Sequence, residues 1–345
     1  MKLGKTGINI SKQGLGCMSM SEFYGKPLPE SEAIQLIRSA YQQGVNMFDT
    51  ADVYAYGQNE KLISKAIFAL LADGISRNEL VIATKCGIVR DKYDTAKRGI
   101  DNSYDYILSS CNKNLERLGE SVKYIDLFYL HRIANHGEQI DEAMQAMSRL
   151  LSEKKIKAVG LSEASAEVIH TANKALLGYT NGKHQLAAIQ SEYSLMTRLV
   201  EKNGVLNICR DLGITLVAYS PLSRALLTGE IEDINQLPKD DFRQTLPRFT
   251  KKHLNANQKI IDAVKALAIR KNCSAAQIAL AWVMSQPNVI PIPGTTKAKH
   301  LRSNVQAIEI KLTKHELALL DELPGAQGMR YHELAMKAYG FESEI

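Results

Sequence analysis

Strand-like and helix-like patterns alternate eight times along this chain, and that alternation constrains its fold more than any other feature. The strand-like runs end near positions 18, 49, 85, 131, 161, 190, 219 and 292. They are continuously apolar, as is typical of strands in a parallel sheet that is buried on both faces. Eight such units within 345 residues predict a closed α/β barrel of the (β/α)8 TIM type rather than an open sheet.

Segments outside the repeat complete the expected architecture. Residues 3 to 13 alternate apolar and polar side chains around a Thr-Gly pair, which predicts an N-terminal β-hairpin. Residues 88 to 102 are expected to be an irregular polar loop. Residues 220–256 lack clear periodicity, and a loop that long is usually functional. No linker rich in Pro, Gly or Ser interrupts the chain, so residues 1–345 are predicted to form a single domain.

The C-terminal part adds a helix that is expected to end near Leu323, followed by a tail over residues 324–345. A chain terminus of this kind either packs against the barrel mouth or frays, and both outcomes stay open. The tail carries several large apolar and aromatic side chains: Met329, Tyr331, Tyr339 and Phe341.

Composition excludes several classes of protein. No apolar run approaches the roughly 20 residues of a membrane span, and the N-terminus lacks the apolar region of a signal peptide, so a cytoplasmic protein without a membrane partner is expected. The net charge is +6, but Lys and Arg are scattered, whereas a nucleic-acid-binding face would concentrate them. The two His-Glu pairs at 315 and 332 lack the second histidine of a zinc motif, so no metal site is predicted.

The five cysteines include no C-x-x-C pair, which argues against both a disulfide framework and a zinc ribbon. Cys17 and Cys86 each lie at the end of a predicted strand, on ends that are expected to open on the same face. We expect both to be buried small apolar side chains, with a redox switch as the alternative.

Three of the predicted strands end in polar, titratable residues: Asp49, Lys85 and His131. The C-terminal ends of the strands lie together at one face of a parallel barrel, which is where such barrels carry their chemistry. Tyr54 follows Asp49 by five residues. The sequence therefore predicts one site at this face that contains all four side chains.

This set of residue types suits proton transfer to a carbonyl oxygen. A lysine ammonium near Tyr54 is expected to lower the pKa of the phenol, and Asp49 is expected to keep the lysine charged. Tyr54 could then act as a general acid, with His131 donating a hydrogen bond to the same oxygen. No side chain supplies hydride, so a nicotinamide cofactor is required for a reduction. Gly14 and Gly16 do not form a dinucleotide fingerprint, because Ser19 stands where the third glycine is needed.

Several ordered motifs resemble those of the aldo-keto reductase superfamily, from Leu3 to about Leu323. Within that superfamily, the chain most resembles the auxin-induced, aldo-keto reductase 13-like branch. The motifs are Gly14-Leu15-Gly16-Cys17-Met18-Ser19-Met20-Ser21, Phe48-Asp49-Thr50-Ala51-Asp52-Val53-Tyr54 with Gly57 and Asn59-Glu60, Ala83-Thr84-Lys85, Leu130-His131-Arg132, Gln190-Ser191-Glu192-Tyr193-Ser194, Ala218-Tyr219-Ser220-Pro221-Leu222 and Ile292-Pro293-Gly294-Thr295-Thr296-Lys297.

The resemblance implies a barrel that binds NADPH across the strand C-termini and reduces an aldehyde or ketone, with Asp49, Tyr54, Lys85 and His131 as the catalytic tetrad. Segment 220–256 would be the loop that covers the cofactor diphosphate. The implied cofactor contacts are Gly16, Cys17, Met18, Ser162, Gln190, Tyr219, Ser220, Pro221, Leu222, Arg224, Leu227, Gly229, Ile292, Gly294, Thr295, Lys297, His300 and Asn304. The substrate pocket is expected to include Phe23, Tyr24, Tyr56 and Arg132.

The sequence departs from the family pattern at the cofactor site. His300 stands where arginine is common, so part of the grip on the 2′-phosphate is expected to depend on pH. Ser303 stands where glutamate is common, and the loss of that carboxylate is expected to weaken the contact with the adenine. Ser223-Arg224-Ala225 replaces a Gly-Arg-Gly turn, which leaves the shape of the covering loop open.

Two other functions remain as alternatives. One is a cofactor-sensing auxiliary subunit similar to the β-subunits of potassium channels, which share this barrel. The other is a non-redox barrel enzyme, such as a lyase or isomerase, that uses the Tyr/Lys pair. The partner predicted for a reductase is a small-molecule carbonyl compound, and the sequence does not indicate an oligomeric state.

Overall fold

The protein is built around a barrel of eight parallel strands. We describe it from a computed structural model, which covers residues 1–94, 98–333 and 336. The strands follow one another around the sheet in chain order, and a bridge between Gly16 and Gly294 joins the last strand region to the first. Each strand leads into a helix that packs on the outside, so the predicted (β/α)8 fold is confirmed.

The elements have the following bounds. The barrel strands are β1 (Leu15–Gly16), β2 (Met47–Asp49), β3 (Val81–Cys86), β6 (Leu127–Leu130), β7 (Val159–Ser162), β8 (Ala188–Glu192), β9 (Thr215–Tyr219) and β10 (Val289–Pro291), and a separate antiparallel pair is formed by β4 (Ile88–Arg90) and β5 (Arg98–Ile100). The helices are α1 (Glu30–Gln42), α2 (Gln58–Ala72), α3 (Tyr104–Val122), α4 (Ile140–Ser152), α5 (Ala166–Tyr179), α6 (Val205–Leu212), α7 (Lys251–Arg270), α8 (Ala275–Met284), α9 (Ala298–Gln306) and α10 (Lys314–Asp321).

Side chains on successive strand positions point alternately into and out of the barrel, as in any β-strand. On β3, Val81 and Ala83 belong to the core inside the barrel, whereas Ile82 and Cys86 belong to the core between strands and helices. Leu3 and Ile10 from the N-terminal segment join the inner core. They close the barrel at the N-terminal end of its strands, so the site lies at the opposite end.

The structure corrects three sequence-based expectations. The N-terminal hairpin is present but lies over residues 1–10 rather than 3–13, with an antiparallel bridge between Lys2 and Asn9 and backbone hydrogen bonds that join Leu3 to Ile8 and Ile10 to Met1. The loop expected at 88–102 contains the paired strands β4 and β5. The irregular segment after β9 ends at residue 250, because α7 begins at Lys251 rather than near Asn257. The segment contains four short 3-10 turns.

The described part of the C-terminal tail packs against the barrel. Arg330 and Tyr331 are buried. Met329 packs partly buried against the outer core. Of the two outcomes considered for the tail, packing is therefore correct as far as Tyr331. Tyr339 and Phe341 lie outside the described residues. The extra C-terminal helix that was expected to end near Leu323 is α10, which ends at Asp321.

Candidate active site

The four side chains predicted to form a catalytic tetrad lie together at the C-terminal end of the strands. Lys85 Nζ donates hydrogen bonds to Asp49 Oδ1 at 2.5 Å and to the Thr50 carbonyl oxygen at 2.8 Å, and it lies 3.5 Å from the Tyr54 hydroxyl oxygen. The ring of Tyr54 meets the ring of His131 edge-on, with centroids 5.7 Å apart. Lys85 is fully buried. The arrangement joins a carboxylate, an ammonium and a phenol in one chain of contacts.

The surroundings set the protonation state of each group. Burial lowers the pKa of Lys85, but Asp49 raises it, and the pKa ends above its usual value. Burial and the cations of Lys85 and Arg132 together hold the pKa of His131 well below its usual value, so the imidazole is neutral at pH 7. Lys85 therefore stays an ammonium, and His131 can donate one N–H without carrying charge.

The pKa of Tyr54 differs from the sequence-based expectation. Burial raises it, and although Lys85 lowers it as expected, the net pKa lies above the usual value of 10.0. The expected net lowering was wrong because the sequence gives the neighbouring charge but not the desolvation. At neutral pH the phenol therefore retains its proton.

Ser162 and Gln190, two of the cofactor contacts that the resemblance implies, are engaged with protein groups. Gln190 Nε2 donates to Asp49 Oδ2 at 2.8 Å, so both carboxylate oxygens of Asp49 accept a hydrogen bond. Arg132 Nη1 donates to the His131 carbonyl oxygen at 2.8 Å and lies 3.3 Å from Ser162 Oγ. Ser162 and Gln190 are register partners on adjacent strands. We call this set of polar residues at the barrel mouth the polar floor: Asp49, His131, Arg132, Ser162 and Gln190.

Nδ1 of His131 and the hydroxyl of Tyr219 are among the buried polar atoms that have no hydrogen-bond partner within the described residues. An unpaired buried donor or acceptor costs about 1 to 3 kcal/mol. Such atoms are expected where a ligand completes the hydrogen bonding. The mouth therefore has the chemistry of a binding site for a polar group.

The loop after β9 adopts a strained backbone. Ser220, Ser223, Arg224 and Ala225 all have left-handed φ angles, of 47°, 50°, 53° and 76°, and each such non-glycine residue costs about 1 to 3 kcal/mol. Arg224 Nη2 donates to Glu192 Oε2 at 3.2 Å, and Arg243 Nη1 lies 3.4 Å from the Arg224 carbonyl oxygen. The turn over Ser223, Arg224 and Ala225 thus keeps a left-handed backbone without the two glycines, held by one ion pair and one hydrogen bond to its backbone.

A buried ion cluster that the sequence analysis missed ties this loop and the tail to the barrel. Arg330 Nη1 lies 3.2 Å from Glu163 Oε1 and 3.6 Å from Glu192 Oε2. Arg248 lies 4.0 Å from Glu192 and donates to the Thr197 hydroxyl at 2.8 Å. Strand alternation alone would have placed Glu192 inside the barrel, in line with Gln190. Its arginine partners come from segments without periodicity, so no sequence signal pointed to them.

Replacing Arg330 by methionine is expected to lower the free energy of unfolding by about 3 kcal/mol, because it leaves Glu163 buried without its closest cation. Burial raises the pKa of Glu163, but Arg330 and Arg132 lower it by more, and the pKa ends below 4.5. The stabilisation by the Arg330–Glu163 pair is therefore complete above pH 4.5 and is lost as the pH falls through the pKa of Glu163 in the folded state. Urea denaturation at pH 7 and pH 4 measures it. Arg149→Met breaks an exposed pair with Glu153 and should leave the midpoint unchanged. An equal effect of both variants would contradict the prediction.

The remaining predicted cofactor residues spread from β1 to α9. A Cβ on Gly294 would lie 3.0 Å from the Gly16 carbonyl oxygen, and a Cβ on Gly16 would lie 2.8 Å from the Ile292 carbonyl oxygen, so the backbones approach closely here. Lys297 is exposed immediately before α9. The others take these positions: Thr295 accepts a hydrogen bond from the Lys297 amide, His300 is half-buried, Met18 begins a 3-10 turn, Leu222 packs partly buried against the core, and Asn304, Pro221 and Gly229 are buried.

Two predicted cofactor residues face away from the mouth. Cys17 and Leu227 are fully buried in the core between strands and helices. Cys86 belongs to the same core, so the two cysteines do not open on the mouth, and the expectation of buried small apolar side chains is the correct one. Burial raises the pKa of Cys17 far above its usual value, which keeps the thiol inert.

The predicted substrate residues lie among aromatic rings and paired arginines at the rim. Phe23 and Phe242 meet edge-on at 5.5 Å, Arg90 lies 4.3 Å from the centroid of the Tyr56 ring, and Arg243 lies 5.1 Å from that of Tyr24. Arg90 is paired with Glu22 and Arg243 with Asp241. Arg132 lies deeper, on the polar floor. Within the described residues, no cluster of three potential metal ligands occurs, and no helix has the length and apolar character to cross a membrane.

Comparisons with known proteins agree with this architecture. The profile of the aldo/keto reductase family matches residues 12–324. A probable aldo-keto reductase 1 of Glycine max is 38% identical over 336 residues, covering 96% of this chain and 91% of its own length.

Two solved structures have the same fold. One is a thermostable aldo-keto reductase in complex with the inhibitor epalrestat, with a TM-score of 0.71, 28% identity, and coverage of 94% of this chain and 99% of its own. The other is a glycerol dehydrogenase from Gluconobacter oxydans, with a TM-score of 0.79, 27% identity, and coverage of 93% and 94%.

Proposed function

This chain belongs to the aldo/keto reductase family, and we propose from that premise that it reduces an aldehyde or ketone to the alcohol with NADPH. Family membership makes it an oxidoreductase that acts on carbonyl compounds. The cofactor, the role of each residue and the placement in the auxin-induced-like branch belong to the proposal. The observation that carries it is the Lys85 ammonium, buried between the Asp49 carboxylate and the Tyr54 hydroxyl.

The residues at the mouth fit a nicotinamide dinucleotide. The hydroxyl of Tyr219 and Nδ1 of His131, which lack partners within the described residues, would form hydrogen bonds with the nicotinamide amide and the substrate carbonyl oxygen. Ser162 and Gln190 would hold the carboxamide. The loop from Ser220 to Gly229 would cover the diphosphate. When bound, the reduced nicotinamide supplies the hydride for the carbonyl carbon.

The chain's own groups supply the proton and the orientation. His131 is neutral and donates an N–H to the carbonyl oxygen, which fixes the substrate and polarises the bond. Tyr54 delivers its proton to the same oxygen as negative charge develops there. Lys85 stabilises the phenolate that remains, and Asp49 holds Lys85 in place. Phe23, Tyr24, Tyr56 and Arg132 would line the substrate pocket.

The experiment that tests this function is NADPH oxidation, followed at 340 nm, against a panel of aldehydes and ketones. We expect turnover of at least one aldehyde, with the corresponding alcohol as product. Fluorescence titration with NADPH in parallel separates the alternatives. A cofactor-sensing subunit would bind NADPH without turnover above the rate of the Tyr54→Phe variant, and a non-redox barrel enzyme would not bind it. Either result would overturn the proposal.

Replacing Lys297 by alanine is expected to weaken NADPH binding about tenfold or more, because a charge-assisted hydrogen bond contributes about 1.5 to 3 kcal/mol. NADH lacks the 2′-phosphate, so its dissociation constant should not change. The position is exposed at the N-terminus of α9, where helix dipole and free N–H groups favour phosphate. Lys314→Ala, the same change at the start of α10, serves as the matched control. Equal weakening of both cofactors by Lys297→Ala would show that Lys297 does not contact the phosphate.

A further inference from the structure

A second buried polar cluster lies behind Lys85, on the helix side of β3. Its centre is Glu60 on α2, which is fully buried. Glu60 Oε1 accepts hydrogen bonds from the Thr84 hydroxyl at 2.6 Å and from Asn114 Nδ2 at 2.9 Å, and Oε2 accepts one from Arg117 Nε at 2.5 Å. Asn114 Nδ2 also lies 3.2 Å from the Lys85 carbonyl oxygen. The cluster therefore holds the backbone of Lys85 and the side chain of the adjacent residue, Thr84.

The same cluster also supports the turn that carries Tyr54. Ala55, Tyr56 and Gly57 follow Tyr54 with left-handed φ angles of 46°, 53° and 82°. Two of them are not glycine, so the surroundings must hold them in this conformation. Arg117 packs directly against Gly57, where an added Cβ would lie 2.5 Å from Arg117 Cδ. Glu60 lies in the first turn of α2, which begins immediately after this segment.

The cluster thus joins the two groups whose separation matters for proton transfer. Lys85 Nζ and the Tyr54 hydroxyl oxygen are 3.5 Å apart, at the outer limit of a hydrogen bond. Tyr54 is fixed through the turn and Lys85 through β3, and Glu60 contacts β3 directly and the turn through Arg117. A displacement of about 1 Å between reacting groups can cost about 10²-fold in rate. An apolar side chain at position 60 could stabilise the core at least as well, because the cost of removing the carboxylate from water offsets the attraction within the ion pair.

We propose that Glu60, braced by Arg117 and Asn114, is a positioning residue that sets the distance between the Tyr54 hydroxyl and the Lys85 ammonium. This inference rests on the proposed function, in which that pair transfers the proton. Glu60 does not touch the substrate side of the barrel. It acts through Thr84 and Lys85 on one side and through Arg117 and the turn after Tyr54 on the other.

The test uses Glu60→Gln, which keeps the shape and the acceptor for Thr84 but removes the charge that holds Arg117. We expect kcat to fall about 10- to 100-fold, with KM and the NADPH dissociation constant unchanged. Arg117→Met should reproduce the effect and Arg117→Lys should recover part of it. Glu30→Gln breaks an exposed pair between α1 and Lys65 on the same helix α2 and serves as the matched control, with no change in kcat.

A second measurement does not depend on turnover. NMR of the full-length protein with 13Cζ-labelled tyrosine, with the Tyr54 signal assigned by its loss in Tyr54→Phe, reports the titration of that phenol. Burial raises the pKa of Tyr54, Lys85 lowers it, Asp49 raises it and Arg132 lowers it. A longer distance between Tyr54 and Lys85 in Glu60→Gln weakens the contribution of Lys85, so the titration of Tyr54 should move to higher pH.

The outcomes are distinct. If Glu60→Gln lowers only the melting temperature, and both kcat and the Tyr54 titration match the wild type, the positioning role is overturned and the cluster is purely structural. If the wild-type protein reduces no carbonyl compound but the Tyr54 titration shifts in Glu60→Gln, the proposed function fails while the positioning role stands.

Discussion

Replacing Tyr54 by phenylalanine is expected to lower kcat by about 10²- to 10⁴-fold, which is the usual contribution of a positioned general acid. The change removes one oxygen atom and leaves the ring, so the edge-on contact with His131 remains. Burial keeps the pKa of Tyr54 above 10.0, so at neutral pH the phenol holds the proton that the alkoxide requires. No other hydroxyl among the described residues contacts Lys85, so no neighbour can replace it.

Single-turnover kinetics of the NADPH-loaded enzyme measure this effect directly, because they isolate the chemical step from product release. NADPH affinity should match the wild type, since the proton donor contributes to the transition state rather than to cofactor binding. Tyr41→Phe removes a hydroxyl that bonds Glu79 beside α1, at a distance from the mouth, and is the matched control. A Tyr54→Phe enzyme with wild-type single-turnover rates would refute the assignment of Tyr54 as the acid.

The placement of the tetrad could be predicted from the sequence because it depends on two local rules. Parallel strands end at one face of a barrel, and alternate residues of each strand point inward. Asp49, Lys85 and His131 are each at or next to the last residue of a strand and in line with inward-facing positions such as Met47, Ala83 and Tyr129. Local periodicity therefore sufficed to bring the three together.

The ion cluster could not be predicted, because its members are brought together by segments without periodicity. Glu192 lies on β8, but its cations come from the loop after β9 and from the tail, 32 and 138 residues further along the chain. The antiparallel pair β4 and β5 escaped for a related reason: two three-residue strands within a polar loop carry too few side chains to show alternation. The sign of the net pKa change at Tyr54 depends on burial, which is also a property of the whole fold.

Replacing Lys85 by methionine is expected to lower the free energy of unfolding by about 3 to 5 kcal/mol, because the buried Asp49 carboxyl group then lacks its cation. Both side chains are almost completely buried, so solvent cannot screen the loss. The pKa of Lys85 lies above its usual 10.5. The stabilisation by the Lys85–Asp49 pair is therefore complete below pH 10.5 and is lost only as the pH rises through the higher pKa of Lys85 in the folded state. The stability difference from the wild type should be constant across neutral pH and should narrow in strong alkali.

The double variant Lys85→Met/Asp49→Asn separates this loss of stability from the loss of catalysis. With the carboxylate removed as well, no buried charge is left unpaired, and most of the lost stability should return. Activity should not return, because the ammonium that stabilises the Tyr54 phenolate is still missing. Urea denaturation and kcat, measured on the wild type, both single variants and the double variant, give the two coupling energies. If stability and activity recovered together in the double variant, Lys85 would act on catalysis only through folding, and the tyrosine–lysine mechanism would be wrong.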